Sequence, residues 1–493
     1  MGSKIGKATF WAVLETGGAQ AAAFLFFVVF ARILTPNEFG VYSLAMAIVG
    51  AVNIVLFQGF GDALIQAERL DEDYASTAFW TNMLLALAMV AILQVVALCG
   101  PSLFAEPLVR PVIAWLSLLC IPRALVSVHS ALFRRRLDIR VLAIRTILGS
   151  VVGGVVGMAL VFSGWGIWGL VVSQFVQSFL IVFIMWRSSE WRPRMRFSKA
   201  AFQKLLHFSR HFMAASVITS CIDDFGSVLI GLGLDIAAVG YFSLALKVIR
   251  SLIVLTMTPV QVVMMPALSR IARDRKGFGS AYADMVLMTS TVWLPVVAGL
   301  GIMAPELLPA VFGAHWAGAV PVVQAMCLAS LTMPLWNLSG QALSAFGRPD
   351  AFARIAFCQL GLYCVMFPLA SHFSIVAVGW AWAALSFMMV PIALTMLHRV
   401  AGLDVGALLA KDARIALCGG ALIVAVALVR AILPPGPWSM AAEVAAGAGV
   451  YAVALNVFLL PGHLTRMLKL ARGSIPKSAR NGKDEQDARK MAA

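Results

Sequence analysis

Residues 165–186 of the chain read WGIWGLVVSQFVQSFLIVFIMW, an apolar run without a charged side chain. An α-helix rises 1.5 Å per residue, so about 20 residues cross the ~30 Å hydrocarbon core of a bilayer. A strand of a membrane barrel would instead alternate apolar and polar residues over about ten positions. The segment is therefore predicted to be a transmembrane helix.

The whole chain contains fourteen such segments. Hydrophobic residues make up 61% of the sequence and charged residues only 12%, which would leave a water-soluble domain with too little polar surface. We therefore predict an all-α polytopic membrane protein with 14 transmembrane helices. The predicted spans are 10–31, 41–61, 78–100, 109–132, 143–163, 165–186, 208–232, 239–265, 281–303, 317–343, 353–371, 374–397, 413–432 and 439–461.

The net charge of +15 suggests nucleic-acid binding at first sight. The positions of the basic residues argue otherwise, because with the N-terminus inside only Arg32, Arg110 and Arg430 fall in predicted outer segments. Membrane proteins concentrate lysine and arginine in their cytoplasmic loops. The clusters at 134–140 and 192–199 are therefore interpreted as determinants of topology. Both termini are predicted to be cytoplasmic, and no nucleic-acid partner is expected.

Short connections argue against a membrane enzyme. The predicted outer loops at 163–166, 232–238 and 372–374 leave no room for a catalytic domain. The seven cysteines all lie in predicted spans without a CxxC or Cys/His spacing, so we expect neither a disulfide nor a zinc site. No GxxxxGK[ST] motif is present, so no nucleotide cofactor is expected. We predict that the chain is not an enzyme.

A short segment near position 40 recurs near position 240. Residues 40–46 read GVYSLAM and residues 240–246 read GYFSLAL. Coincidence is an alternative in so apolar a chain, but a duplication of six spans in the same orientation would relate two lobes by an axis along the membrane normal. The predicted domains are an N-lobe at 1–190, a cytoplasmic amphipathic linker at 191–207, a C-lobe at 208–400, two further transmembrane helices at 401–462 and a basic, disordered cytoplasmic tail at 463–493.

Ionisable residues inside the bilayer are the candidate site residues, because each costs ~2.5–3.5 kcal/mol on insertion scales unless it is paired or faces water. In one interpretation these charges neutralise one another and join neighbouring helices. In the other, the cations line a cavity and hold a diphosphate, while a carboxylate takes up a proton or a sodium ion as the substrate leaves. The six residues are the cations Arg123, Lys247 and Arg250 and the carboxylates Glu15, Asp223 and Asp224.

Helix geometry adds two expectations about the cations. Lys247 and Arg250 are three residues apart and therefore share one helix face. Arg123 directly follows Pro122, whose missing N–H is expected to interrupt the helix locally.

An ordered set of short segments carries a resemblance to a known family. The segments are ARILTPNEFG at 31–40, GFGDALIQ at 59–66, STAFW at 76–80, FRRR at 133–136, GIWG at 166–169, WRP at 191–193 and GYFS at 240–243. Together they resemble the bacterial polysaccharide transporter family, the Wzx-type flippases of the multidrug/oligosaccharidyl-lipid/polysaccharide exporter superfamily. The resemblance runs from about residue 8 to residue 400. The segments that carry it include none of the six buried charges.

Membership of that family implies two six-helix lobes in a V that alternate between inward-open and outward-open forms. It implies a substrate, an undecaprenyl-diphosphate-linked oligosaccharide repeat unit, flipped from the cytoplasmic to the periplasmic leaflet of the bacterial inner membrane. The implied purpose is the synthesis of exopolysaccharide, O-antigen or capsule. Membrane lipids, a polysaccharide polymerase and chain-length or export proteins are the implied partners.

Three alternatives remain. A cation-coupled drug or metabolite exporter of the same superfamily would use acidic cavity groups with few cations, which Lys247 and Arg250 contradict. A peptidoglycan-precursor flippase also has fourteen spans, but residues 31–40 resemble the polysaccharide branch. A membrane glycosyltransferase or polymerase would need larger outer loops than this chain has.

Overall fold

Helices form nearly all of the described chain. The computed structural model describes residues 2–66, 72–99, 106–136, 138–206, 226–271, 275–434 and 436–458. The helices of the first half are α1 (Gly2–Ile33), α2 (Pro36–Gln66), α3 (Glu72–Cys99), α4 (Val109–Ser117), α5 (Cys120–Arg135), α6 (Ile139–Leu160) and α7 (Ile167–Ser188). Those of the second half are α8 (Ile236–Thr256), α9 (Thr258–Ile271), α10 (Arg275–Phe312), α11 (Val320–Ser330), α12 (Met333–Ala345), α13 (Pro349–Ser371), α14 (Ile375–Ala401), α15 (Val405–Ile432) and α16 (Pro437–Phe458).

The prediction of an all-α membrane fold is confirmed. Within the described residues, ten helices are long and apolar enough to cross a membrane, and a bent pair formed by 314–330 and 333–345 raises the number to eleven. Of the remaining predicted spans, 10–31 corresponds to α1 and 41–61 to α2. The span at 208–232 lies largely outside the described residues.

Proline determines where two of the spans break. Its ring clashes with the carbonyl four residues earlier in a helix. Four residues before Pro122 the chain indeed leaves the α-helical pattern, and Leu118 N–H donates to the Trp115 carbonyl three residues back. The bent pair has a 52° angle just before Pro334. The sequence-based expectation of a break beside Arg123 is therefore confirmed.

A stripe of small residues on α6 brings α7 unusually close. An added Cβ at Gly157 would lie 2.6 Å from Cβ of Ser173, and one at Gly153 would lie 2.8 Å from the Ser173 carbonyl. Small residues at such a contact let two membrane helices pack backbone against backbone. This contact fixes the rotation of α7 and thereby the direction in which its polar residues point.

The two copies of the repeated segment contact each other at equivalent positions. An added Cβ at Gly40 would lie 2.0 Å from the Ile236 carbonyl oxygen, and one at Gly240 would lie 2.1 Å from the Pro36 carbonyl oxygen. The two contacts are equivalent under the offset of 200 residues, because Gly40 corresponds to Gly240 and Ile236 corresponds to Pro36. The helices α2 and α8 are therefore related by a local two-fold arrangement, and only glycine fits at its centre.

The segment between the two halves packs against the first half. The Trp80 indole N–H donates to the Arg194 carbonyl at 2.8 Å, and the Arg194 guanidinium forms an ion pair with Glu72. Ser198 caps the short helix at 199–206, because its hydroxyl accepts from the Ala201 N–H at 3.3 Å. Leu205 on that helix is completely buried. The cap and the buried apolar face agree with the sequence-based description of an amphipathic stretch.

Ion pairs connect the last two helices to α10. The Arg430 guanidinium of α15 lies 3.0 Å from the Glu306 carboxylate and 3.1 Å from the Glu443 carboxylate of α16. Glu443 is only 1% exposed. Since a buried charge without a partner is costly, this triad holds α15 and α16 in place.

We expect that Gly240→Ala destabilises the fold. The new methyl group has no space beside the Pro36 carbonyl, so α2 and α8 must separate, at a cost of about 1–3 kcal/mol for overpacking. The measurement is the thermal unfolding midpoint of the purified protein in detergent. Gly299→Ala is the matched control, because nothing lies within 4 Å of its added Cβ. Equal midpoints for the two variants would contradict the close contact.

Candidate functional site

A cavity of about 440 Å³ lies between helices of the two halves. Helices α1, α2, α5, α6 and α7 form what we call its first-half side, and α8 together with Ser227, which precedes it, forms its second-half side. The cavity lies beyond the close contact of α2 with α8, where these helices diverge far enough for side chains to leave space between them.

All three sequence-predicted cations line this cavity. Arg123 reaches it from α5, directly after the break that Pro122 imposes. Lys247 and Arg250 reach it from α8, on the shared face that their spacing predicts. None of the lining residues in the described part of the chain is acidic. The described wall therefore carries positive charge only, an arrangement that favours an anionic occupant.

The repeat extends into the cavity wall. Six positions of α2 line the cavity, and for four of them the position 200 residues later on α8 lines it too. Their spacing of three, four and seven residues is that of a single helix face. The pairs are Ser43 and Ser243, Met46 and Leu246, Ala47 and Lys247, and Gly50 and Arg250.

Several neutral polar side chains also line the first-half side. Gln174 and Gln177 lie one helical turn apart on α7, and Ser150 faces them from α6. The Gln177 amide N–H donates to the Ser150 hydroxyl at 3.2 Å. Tyr42 lies beside both Gln174 and Arg123. These groups offer donors and acceptors of hydrogen bonds without net charge.

None of the three predicted carboxylates is among the described residues that line the cavity. Glu15 on α1 is not among the cavity-lining residues, and its charge instead interacts with that of Arg145 on α6. Arg145 also donates to the Ser130 hydroxyl at 2.7 Å. Asp223 and Asp224 lie outside the described residues. The structure thus brings the cations together and places Glu15 in a separate contact between helices.

Sequence reasoning missed several residues that the structure singles out. Arg145 and Glu443 are ionisable residues within spans that the six candidates omitted. Gln174 and Gln177 carry no charge, so a search for ionisable residues omits them. Their spacing on one helix face is nevertheless a signal in the sequence. Subtracting 200 from the numbers of Lys247 and Arg250 would have indicated Ala47 and Gly50, their repeat partners.

The cavity is closed at the end where α2 and α8 begin, which we call the closed end (residues 31–40, 236–240 and 310–319). Arg32 in the last turn of α1 donates to the Ala310 and Val311 carbonyls at the end of α10, at 3.0 and 3.3 Å. In return, the Trp316 indole N–H donates to the Ala31 carbonyl at 2.6 Å. Hydrogen bonds therefore run in both directions between the halves at this end.

Aromatic rings fill the space between those hydrogen bonds and the cavity. Phe39 packs edge-to-face against Trp316 with ring centroids 5.6 Å apart, and Phe27 packs in the same way against Phe312 at 5.7 Å. Phe27 and Phe39 also line the cavity. These rings separate the cavity from the closed end, with a geometry that aromatic pairs prefer.

The family described as "Polysaccharide biosynthesis protein" matches residues 29–321. The chain belongs to this polysaccharide biosynthesis protein family. The matched region contains the closed end, Arg123, Lys247 and Arg250. The family resemblance stated from the short segments is confirmed.

Curated relatives and solved structures agree with this assignment. The chain is 26% identical to the succinoglycan biosynthesis transport protein ExoT of Rhizobium meliloti (strain 1021), over 64% of each protein, so it spans less than two thirds of that relative. It is 23% identical to the lipopolysaccharide biosynthesis protein WzxC of Escherichia coli (strain K12), over 69% of this chain and 70% of WzxC.

Two solved structures share the fold. The lipid II flippase MurJ in an inward closed conformation superposes with a TM-score of 0.74 at 14% identity, over 91% of this chain and 98% of MurJ. An inward-facing multidrug resistance MATE transporter of the MOP superfamily superposes with a TM-score of 0.60 at 15% identity, over 78% and 95%. This member of the polysaccharide biosynthesis protein family therefore has the MurJ- and MATE-like helical fold.

We expect that Arg32→Ala loosens the closed end. Its loss removes two hydrogen bonds between the halves, at a cost of ~1.4 kcal/mol. The equilibrium constant for opening of this end should therefore increase about tenfold. Hydrogen–deuterium exchange of the backbone amides at 34–42 and 314–320 measures the change. Arg110→Ala is the control, because Arg110 donates to the Ala97 carbonyl within the first half. Unchanged exchange at 314–320 would show that Arg32 does not join the halves.

Proposed function

We propose that the chain is a flippase for an undecaprenyl-diphosphate-linked oligosaccharide repeat unit in the synthesis of exopolysaccharide, O-antigen or capsule. The observation that carries the proposal is that Arg123, Lys247 and Arg250 line one cavity together, with no acidic residue in its described wall. Membership of the polysaccharide biosynthesis protein family supports the same substrate class. The family and its named relatives also agree with the prediction of a transporter and not an enzyme.

Physical chemistry explains why such a substrate needs this cavity. A sugar diphosphate cannot cross ~30 Å of hydrocarbon unaided, because its charges and hydroxyls would lose water without replacement. Cations in the cavity replace that water for the diphosphate, and arginine can bind phosphate oxygens in pairs. The polyprenyl tail is apolar and can stay in the bilayer while the head group moves.

The proposed architecture has fourteen transmembrane helices: two six-helix lobes in a V, at 1–190 and 208–400, and two C-terminal helices at 401–462. The linker at 191–207 and the tail at 463–493 are cytoplasmic in this proposal, and the protein resides in the bacterial inner membrane. The distribution of lysine and arginine supports this orientation. The closed end then faces the periplasm.

Transport follows from alternating access between the halves. The substrate head binds from the cytoplasmic leaflet and contacts the cations of both halves. Opening of the closed end then exposes it to the periplasmic leaflet. A polysaccharide polymerase and chain-length or export proteins would receive the product, and no nucleic acid is involved.

Deletion of the gene in its bacterial host tests the function directly. With the rest of the biosynthetic pathway intact, the flippase proposal expects loss of surface polymer together with complete repeat units that accumulate on the cytoplasmic leaflet. Normal polymer would instead favour a drug or metabolite exporter of the same fold. Accumulated truncated repeats would favour a glycosyltransferase.

We expect that Lys247→Ala and Arg250→Ala each reduce flipping about 10–100-fold, because each removes a charge-assisted hydrogen bond to the diphosphate worth ~1.5–3 kcal/mol. The measurement is flipping of the lipid-linked repeat by reconstituted protein, with membrane abundance determined in parallel. Lys204→Ala is the control, since this lysine is exposed on the linker helix and outside the cavity. Loss of the protein from the membrane would show that the charge is structural.

Coupling to a proton or sodium gradient is the proposed source of direction, with Glu15, Asp223 and Asp224 as candidate carboxylates. Asp224→Asn cannot release a proton, so we expect it to flatten the pH dependence of transport. Flipping rates in proteoliposomes between pH 5 and 8 measure this, and Glu190→Gln is the control, because this carboxylate is exposed and outside the cavity. An unaltered pH profile for Asp224→Asn would exclude proton coupling at that residue.

A further inference from the structure

The cavity is chemically unequal on its two sides, although equivalent positions of α2 and α8 line it. Lys247 and Arg250 on α8 occupy the positions that Ala47 and Gly50 occupy on α2. At these two pairs of positions, long cations stand on one side and almost no side chain on the other. The two equivalent helix faces therefore differ in charge and in volume at the same places.

The small residues on α2 open space in front of neutral polar groups. Gln174 and Gln177 of α7 and Ser150 of α6 line this part of the first-half side. A glutamine amide provides two donors and one acceptor in a plane. Glycine and alanine allow a ligand to approach the backbone of α2 closely.

Aromatic rings complete that side. Phe26 and Phe30 of α1 and Phe39 of α2 line the cavity together with the amides. A sugar presents hydroxyls at its edge and apolar C–H groups on its ring face, so amides and aromatic rings together match both of its surfaces. A diphosphate offers no apolar face and would gain nothing from the rings.

We propose that the first-half side, formed by Ala47, Gly50, Gln174 and Gln177 with the adjacent aromatic rings, is a sugar subsite that recognises the neutral, hydroxyl-bearing part of the lipid-linked repeat. Lys247 and Arg250 hold the diphosphate opposite it. This inference rests on the proposed function and deepens it. It divides the cavity into a part that any lipid diphosphate uses and a part that distinguishes one sugar from another.

The covalent structure of the substrate agrees with this division. The first sugar is bonded directly to the diphosphate, so the two recognition sites must lie in one cavity and not at separate ends of the bundle. Arg123 lies on the first-half side beside Tyr42, the residue that also neighbours Gln174. It can contact the phosphate nearer the sugar while the α8 cations hold the other.

Binding of two lipids to the purified full-length protein tests the subsite. The probes are undecaprenyl diphosphate without sugar and the undecaprenyl-diphosphate-linked repeat unit of the host. Wild type should bind the glycosylated lipid about tenfold or more tightly than the bare lipid. A Gln174→Leu, Gln177→Leu double variant should lose that difference, about tenfold for two hydrogen bonds, and bind bare lipid as wild type does. Lys247→Ala should weaken both lipids equally.

Two further variants keep the test decisive. Gln324→Leu is the matched control, because this glutamine is exposed on α11 and away from the cavity. An Ala47→Lys, Lys247→Ala double variant moves the cation to its repeat position. It should still bind bare lipid, but it should bind the glycosylated lipid no better, because lysine fills the sugar space.

Specific results would overturn the inference. Equal wild-type binding of the two lipids, unchanged binding of the glycosylated lipid by the glutamine double variant, or full binding of that lipid by the relocated-lysine variant would each do so while leaving the flippase proposal intact. Absence of binding of both lipids by wild type would overturn the proposed function itself. A lowered unfolding midpoint for the glutamine double variant leaves the relocated-lysine variant to decide.

Discussion

The backbone contact between Gly40 of α2 and Gly240 of α8 is the constraint on which the other features depend. It brings the two repeat helices within van der Waals distance at one point and fixes their relative rotation. From that point the helices diverge, so the faces at 43–50 and 243–250 look into the same space. The cavity, its equivalent wall positions and the closed end all follow from where these two helices touch. A side chain larger than hydrogen at either glycine would change all three.

The two helices differ in the charge that they present to the cavity. A cation at bilayer depth is tolerated only where water or a counter-charge is available. Lys247 and Arg250 are placed on the cavity face of α8, and the same face of α2 carries Ala47 and Gly50. Two of the three cavity cations thus lie on α8 and one, Arg123, lies on the first-half side, so the positive potential is stronger beside α8. A substrate with one charged and one neutral end fits the unequal arrangement better than a uniformly charged one.

The sequence predicted those features that depend on local chemistry. Apolar runs predicted the helices, and Pro122 predicted the interruption that the chain shows one turn earlier, at 118–119. The repeat at 40–46 and 240–246 gave the offset of 200 residues that pairs wall positions of α2 with wall positions of α8. Features that depend on helix rotation were not predictable in the same way. Glu15 is ionisable and within a span, but the packing of α1 on α6 directs it to Arg145 and not to the cavity. Gln174 points into the cavity because the glycine stripe of α6 sets the rotation of α7, which depends on contacts far apart in sequence.

The closed end also sets the scale of the energy that the substrate must supply. Arg32 and Trp316 contribute three hydrogen bonds between the halves, and a typical protein hydrogen bond stabilises by about 0.5–1.5 kcal/mol net. The closed form is thus favoured by these bonds by only a few kcal/mol. A ligand shifts such an equilibrium by its difference in affinity between the two forms. Charge-assisted contacts of a diphosphate with Arg123 of one half and Lys247 of the other are of the same magnitude, and they change when the halves move. The hydrogen bonds at one end of the cavity and the proposed head-group contacts in its middle are therefore of comparable size, and a head group opens the closed end to the extent that it binds the open form more tightly than the closed one.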